Sequence, residues 1–146
     1  MRAGVGSLPQ TGAVIDARHE LPADVLGRLR TICRALPETV EEAAWVGIRW
    51  SVRRKAVAHL LVIDHEWPPA YARAVPVERP TPVLTFRSSG AELAALTAIG
   101  PPFHKPPWHP EHLTLTLGPD TDWDEVAELV TESWRLQAPR RIADRA

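Results

Sequence analysis

The sequence predicts an α+β domain, a mainly antiparallel sheet with helices packed on one face. Three observations carry this reading. Apolar residues recur at helical spacing near both ends of the chain, over residues 22–36 and 122–136. Between those stretches apolar and polar residues alternate with the period of two that belongs to strands. The early strand segments are separated by short turn-like stretches, which join antiparallel neighbours, whereas parallel strands need crossovers of about a dozen residues or more.

Taken in order, residues 1–20 carry Gly4, Gly6, Pro9 and Gly12 without a sustained period, so a loose arm is expected there. One domain over residues 21–141 follows, with a short tail over residues 142–146. Val25, Leu29, Ile32, Cys33 and Leu36 form one helical stripe, with Pro22 suited to its first turn and Pro37 stopping it. Arg28, Arg30 and Arg34 lie off that stripe and read as a solvated face. Trp45, Ile48, Trp50 and Val52 then interleave with Arg49, Ser51 and Arg53 as a strand, and Arg53, Arg54 and Lys55 sit at a hairpin turn. Val57, His59, Leu61 and Ile63 alternate with Ala58, Leu60, Val62 and Asp64. Both faces of this segment are largely apolar, which places it centrally in the sheet. His59 is expected to be packed and hydrogen-bonded.

Residues 65–82 are proline-rich and aperiodic, a length of connection that points to a functional or lid-like segment. Val83, Thr85 and Arg87 alternate with Leu84, Phe86 and Ser88 as a further strand. Ser89 and Glu92 have capping-box spacing and open a short helix with Leu93, Leu96 and Ile99 inward, closed by Gly100 and Pro101. Residues 103–117 begin as a proline-stiffened connection and end in the alternating Leu113, Leu115 and Leu117. Asp122 and Glu125 repeat the capping spacing before a last helix with Val126, Val130 and Trp134 in one row, widened by Leu129 and Leu136. Acidic residues start that helix and arginines end it, which complements its dipole.

Composition bounds the function. The chain of 146 residues is 45% hydrophobic and 24% charged, so it is long and apolar enough for a real core. Its 15 prolines, about twice the ~5% background, cluster in connections. A single cysteine excludes an internal disulfide and a multi-cysteine metal site. The longest apolar run is too short to span a bilayer and the N-terminal residues lack a secretory apolar region, so a cytoplasmic protein without membrane attachment is expected. A net charge of −1 argues against a generally basic nucleic-acid coat protein while allowing a local basic face.

No catalytic signature is present. Ser88, Ser89 and Ser133 occupy no nucleophile-elbow context, Cys33 lies on a buried stripe, and no phosphate-cradling glycine loop opens a helix. His104, His109 and His112 lack metal-ligand spacing, so neither a metal nor another cofactor is expected. The sharper candidate is a basic face: Arg49 and Arg53 from one strand, Arg54 and Lys55 at its turn, and Lys105, Arg140 and Arg141 if the fold gathers them. Cations beside an aromatic such as Trp50 or Trp108 suit phosphate contact with base stacking. The competing reading is a polar sheet face with arginines that complete a helix dipole. Of the six tryptophans, Trp45, Trp50, Trp123 and Trp134 fall in periodic elements and are expected in the core. Trp67 and Trp108 lie in proline-rich loops and, with Phe103, are the candidates for a small-molecule or protein-binding pocket.

From about Pro22 to Arg141 the chain resembles the YjbR/MmcQ family, described as DNA-binding proteins. The likeness rests on Leu36, Pro37, Glu38, Thr39, Val40, Glu41 and Glu42 at the close of the first helix, and on the strand pair carrying Trp50, Val52, Lys55 and Ala58. It rests also on Lys105 and Trp108 ahead of the last strand, and on the run from Ser133 through Arg141. The resemblance implies a fold like that of bacterial frataxin homologues and a non-catalytic DNA-binding role. The chain departs from the family at Pro107, where histidine is frequent, and at Arg54, where glycine is usual. Frataxin-like proteins bind iron on an acidic first helix; here Asp24 is the one acid between Pro22 and Leu36, among three arginines, so an iron-donor role does not fit.

Overall fold

The computed structural model describes residues 20–144. Of the arm expected over residues 1–20 only Glu20 falls in that range, and of the expected tail only residues 142–144; the rest lie outside the described residues. The element order is α1 (Ala23–Arg34), β1 (Thr39–Ala43), β2 (Ile48–Val52), β3 (Lys55–Ile63), α2 (Pro69–Ala74), β4 (Thr81–Arg87), α3 (Gly90–Ile99), β5 (Phe103–His104), β6 (His112–Thr116), α4 (Trp123–Gln137) and α5 (Arg140–Ala143). The strands form one six-stranded sheet in the order β1-β2-β3-β4-β6-β5, with every neighbouring pair antiparallel. The expected fold class is therefore the observed one, with β3 in the interior.

The alternation of each strand divides the core in two. Trp50, Val52, Ala58, Leu60, Leu84, Phe86, Leu113 and Leu115 pack with Leu29, Cys33, Val126, Val130 and Trp134 from α1 and α4. Each fully buried side chain of this kind contributes roughly 1.5–3 kcal/mol relative to exposure. The opposite face carries a smaller cluster of Val46, Leu61, Ile63, Val75 and Val83, roofed by Tyr71, Ala72, Ala74 and Val77. The connection after β3 thus contains its own helix, α2, and covers half of the second face, where the sequence pattern put helices on one face only. Pro69 supplies the first turn of α2, whose missing N–H costs nothing there.

Several side chains sit differently from their periodicity. Trp45 is 79% exposed, because β1 ends at Ala43 and residues 44–47 form a loop. Gly47 explains that loop: at φ 76° it lies so close to β3 that an added Cβ would stand 2.0 Å from the Leu60 carbonyl oxygen. This approach draws Val46 into the second cluster and leaves Trp45 outside, tilted against Trp67 with ring centroids 5.6 Å apart. Ile99 and Leu136 are exposed rather than inward. Ser89 precedes α3 but makes no side-chain cap bond, while Asp122 caps α4 by accepting from the Asp124 and Glu125 amides at 3.0 and 3.2 Å. Arg30 is not part of a solvated face: it grips Glu41 of β1 through two nitrogens, and Glu41 also accepts from the Trp50 indole at 3.1 Å. Trp123 is half-buried against the core with Arg28 over its ring. Ile142 is 2% exposed within the main core, so the packed domain reaches past Arg141 into the expected tail.

Two glycine substitutions test this account by urea denaturation. Gly47→Ala meets both a left-handed backbone and the Leu60 carbonyl and should destabilise by ~2 kcal/mol or more. Gly27→Ala, in the open middle of α1, should stabilise by ~0.5–1 kcal/mol.

Candidate functional site

The register of the sheet assembles a polar row that no single strand reveals. Glu42 pairs with Arg49, Arg49 with His59, His59 with Thr85, Thr85 with Thr114, and Thr114 with His104. Each strand therefore gives one polar residue to the same line, on the face away from α1 and α4. Directly opposed residues stand ~4.5–5.5 Å apart, so the row is continuous. Arg87 and His112, also paired across β4 and β6, lie beside it. α2 and the 105–111 loop lean over this half of the face. They leave a cleft of about 140 Å³ lined by Arg49, His59, Tyr71, Thr85, Arg87, Trp108 and His112, with Ala56 and Val57 at one end.

The hydrogen bonds inside the cleft run in one direction. His59 Nε2 stands 2.6 Å from the Val46 carbonyl oxygen, which accepts only, so this nitrogen carries the proton. Its Nδ1 is then an acceptor for the Tyr71 hydroxyl at 3.4 Å. The Tyr71 oxygen accepts from Thr85 at 3.4 Å, which leaves Thr114 to donate to Thr85 at 2.8 Å. The chain Thr114, Thr85, Tyr71, His59, Val46 fixes every rotor on the cleft floor. Burial pushes the His59, His104 and His112 imidazoles below their usual pKa, and for His112, with cationic neighbours adding to burial, down to about 4. All three are neutral at pH 7. His112 stacks on His109 with centroids 4.1 Å apart, and its buried Nδ1 has no hydrogen-bond partner among the described residues.

Both arginines of the cleft are held by carboxylates. Arg49 is ion-paired with Glu42, its Nε donating at 2.9 Å. Arg87 reaches Glu111 through two nitrogens and the Gln137 amide oxygen at 3.0 Å. The Lys105 ammonium donates to the Pro106 and His109 carbonyls and so shapes its own loop. On that loop Trp108 is 40% exposed and lies against Tyr71, with centroids 4.7 Å apart.

A second cluster sits at the sheet end where β2 finishes, β3 begins, β4 finishes and β6 begins. Val52 pairs with Lys55, so Arg53 and Arg54 are the two loop residues of the hairpin, and both have positive φ, 49° and 71°. A two-residue hairpin favours this backbone but normally recruits Asn or Gly for it. Arg53 donates to Glu38 at 2.8 Å. Arg54 and Lys55 are exposed, and neither has an acidic partner among the described residues. Gln137, the last residue of α4, donates to the Ala56 carbonyl at 2.9 Å, which brings α5 with the exposed Arg140 and Arg141 to the same end.

The structure thus sorts the sequence candidates. Arg53, Arg54, Lys55, Arg140 and Arg141 gather at one end; Arg49 faces the cleft and does not act beside Arg53 from one strand, because Arg53 belongs to the turn. Phe103 is 6% exposed in the core, on the helix-facing side of β5, and does not line the cleft. Trp67 packs on Trp45 and the second core cluster, leaving Trp108 alone of the three pocket candidates at the cleft. His59, Tyr71, Thr85, Arg87 and His112 were not singled out as site residues from sequence. The signal was their parity: each occupies the outward phase of its strand or the roof above it. Cys33 is buried, and burial pushes its thiol up to about 12, so it is unreactive. Among the described residues no group of three metal-ligating side chains converges, and no helix is long and apolar enough to cross a membrane.

These features define an antiparallel α+β domain with one polar sheet face and a basic hairpin end. A profile of the YjbR family matches residues 34–136, more than half of the chain, and the protein belongs to that family. The match runs from the end of α1 to the penultimate residue of α4, so it holds the cleft and the hairpin but not Arg140 and Arg141. A comparison with curated proteins gives no match.

Neutral, half-buried histidines make stability depend on pH. The unfolded imidazole titrates near 6.5 and folded His112 near 4, so its contribution is complete above pH ~6.5 and is lost as pH falls toward 4. Urea midpoints measured from pH 7.5 down to 4.5 should fall, and His112→Asn should fall less steeply over that window.

Proposed function

We propose that this protein binds DNA through phosphate contacts at the hairpin end of its sheet, without catalysing a reaction. Arg54 and Lys55 are the principal contacts, Arg53 assists from its bond to Glu38, and Arg140 and Arg141 extend the cationic surface from α5. The observation that carries this reading is the backbone of Arg53 and Arg54. A left-handed conformation costs an L-residue roughly 1–2 kcal/mol. Two consecutive arginines hold it at an exposed turn, at positions where glycine would be relaxed. Strain retained at an exposed loop is characteristic of functional sites. Arg49 and Lys105 are bound to Glu42 and to loop carbonyls and play supporting parts. Membership of the YjbR family agrees with the reading.

Phosphate contact predicts dissociation constants of ~10⁻⁴–10⁻⁶ M at physiological salt, with log K falling against log salt by ~0.9 per duplex contact. Arg54→Gly separates stability from binding. It should raise stability by ~1 kcal/mol by relaxing the turn, yet lower the salt slope by about one contact. Fluorescence anisotropy with a labelled duplex, from 20 to about 200 mM salt, measures the slope; urea denaturation measures the stability. Binding indifferent to salt, or unchanged in Arg54→Glu with Lys55→Glu, would exclude this function.

A further inference from the structure

We infer that the cleft beneath Trp108 is a base pocket that takes one pyrimidine ring from a single strand whose backbone lies on the adjacent basic hairpin. The inference rests on the proposed DNA binding and adds a second kind of contact to it.

Size is the first argument. The cleft is about 140 Å³, close to the ~150 Å³ cavity that accepts a single benzene ring and well below the ~300–1,000 Å³ of pockets for larger ligands. One six-membered ring fits and a fused purine pair does not. Surface chemistry is the second. The indole of Trp108, 40% exposed over Tyr71, offers a stacking face at the mouth. Inside, the polar lining is neutral in sum, because Arg49 is matched by Glu42 and Arg87 by Glu111. That environment suits an uncharged ring bearing carbonyl and amide groups better than a free anion. Arg49 and Arg87 line the cleft, and each keeps N–H donors beyond those given to Glu42, Glu111 and Gln137, which can meet the acceptors of a ring.

Connectivity is the third argument. Ala56 lines the cleft and is bonded directly to Lys55 of the hairpin. A strand crossing Arg54 and Lys55 with its phosphates therefore passes the cleft mouth, where an unpaired base can swing in. Duplex bases, stacked and paired, have no route to it. The arrangement is a stacking platform next to a cationic track, the combination that single-strand binders use.

The test uses the full chain and three oligomers of stable abasic units: one with a single central thymine, one with a single adenine, one with no base. All three carry the same phosphates. The thymine oligomer should bind about tenfold tighter than the other two. Trp108→Ala should remove that preference and leave base-free binding as it was, while Trp108→Phe should keep most of it. Equal binding of all three oligomers overturns the base pocket and leaves phosphate binding standing. Failure of all three to bind at low salt overturns the base pocket, and failure of the labelled duplex as well overturns the phosphate binding. Free thymidine binding as tightly as the thymine oligomer assigns the cleft to a soluble pyrimidine and overturns the strand-borne form.

Discussion

The place where β3 and β4 part company governs much of this molecule. Their pairing runs from Ile63 and Thr81 to Ala58 and Phe86 and stops there, leaving Ala56 and Val57 without partners on β4. Two polar residues of α4 take over. The Ser133 hydroxyl donates to the Val57 carbonyl at 2.7 Å and accepts from the Arg87 amide at 2.9 Å, replacing one ladder rung by a side chain. Gln137 donates to Ala56 and accepts from Arg87, so its amide is fixed in both senses. Such buried groups are costly if left unpaired, at ~1–3 kcal/mol each, which makes the docking of α4 specific in position as well as favourable in area. Arg87 then carries the connection outward to Glu111, whose amide donates to His109 and whose carbonyl accepts from Ser88. Helix, sheet and the Trp108 loop are joined through one side-chain network, and the cleft and the basic hairpin both border it.

That network also explains why two kinds of site meet at one end of the sheet. An antiparallel order brings the close of β2, the start of β3, the close of β4 and the start of β6 to the same edge. Turns at that edge are free of core packing and tolerate charge, which is where Arg53 and Arg54 stand. The ladder gap beside them is where a side chain from α4 can reach through and where the sheet face opens into a hollow. Half of the same face is sealed by Leu61, Ile63 and Val83 under α2. The apolar half anchors the roof, and the polar half keeps the space beneath it.

The fold was legible because burial imposes period. Leu29 and Cys33 on α1, Leu113 and Leu115 on β6, and Val126, Val130 and Trp134 on α4 all lie where their spacing puts them. The misplacements have local causes that spacing does not encode. Trp45 and Val46 exchange roles because Gly47 lets a loop touch β3. Arg30 leaves the solvated set because Glu41, eleven residues away, lies within reach. The site was less legible, since a cross-strand row depends on register, and register is a relation between strands. Arg49, His59, Thr85 and Thr114 were each readable as outward positions, but their alignment follows only once β2, β3, β4 and β6 are paired. The hairpin is the exception: adjacent charged residues between two alternating runs already marked the turn.

The hairpin and the row also differ in what substitution can do to them. Arg53 and Arg54 project from a turn whose backbone would be happier with glycine, so their side chains are free to change without loss of the fold. His59, Thr85 and Thr114 are not free in this sense. Each closes a hydrogen bond that another needs, and replacing one leaves a buried partner exposed to the same ~1–3 kcal/mol penalty. A polar floor of that kind is an expensive way to cover a sheet, since an apolar face packed under a longer α2 would bury more area with no unsatisfied groups. Its persistence here, under a roof that stops short and leaves Trp108 half in solvent, fits a surface shaped by what it contacts more than by what holds it together.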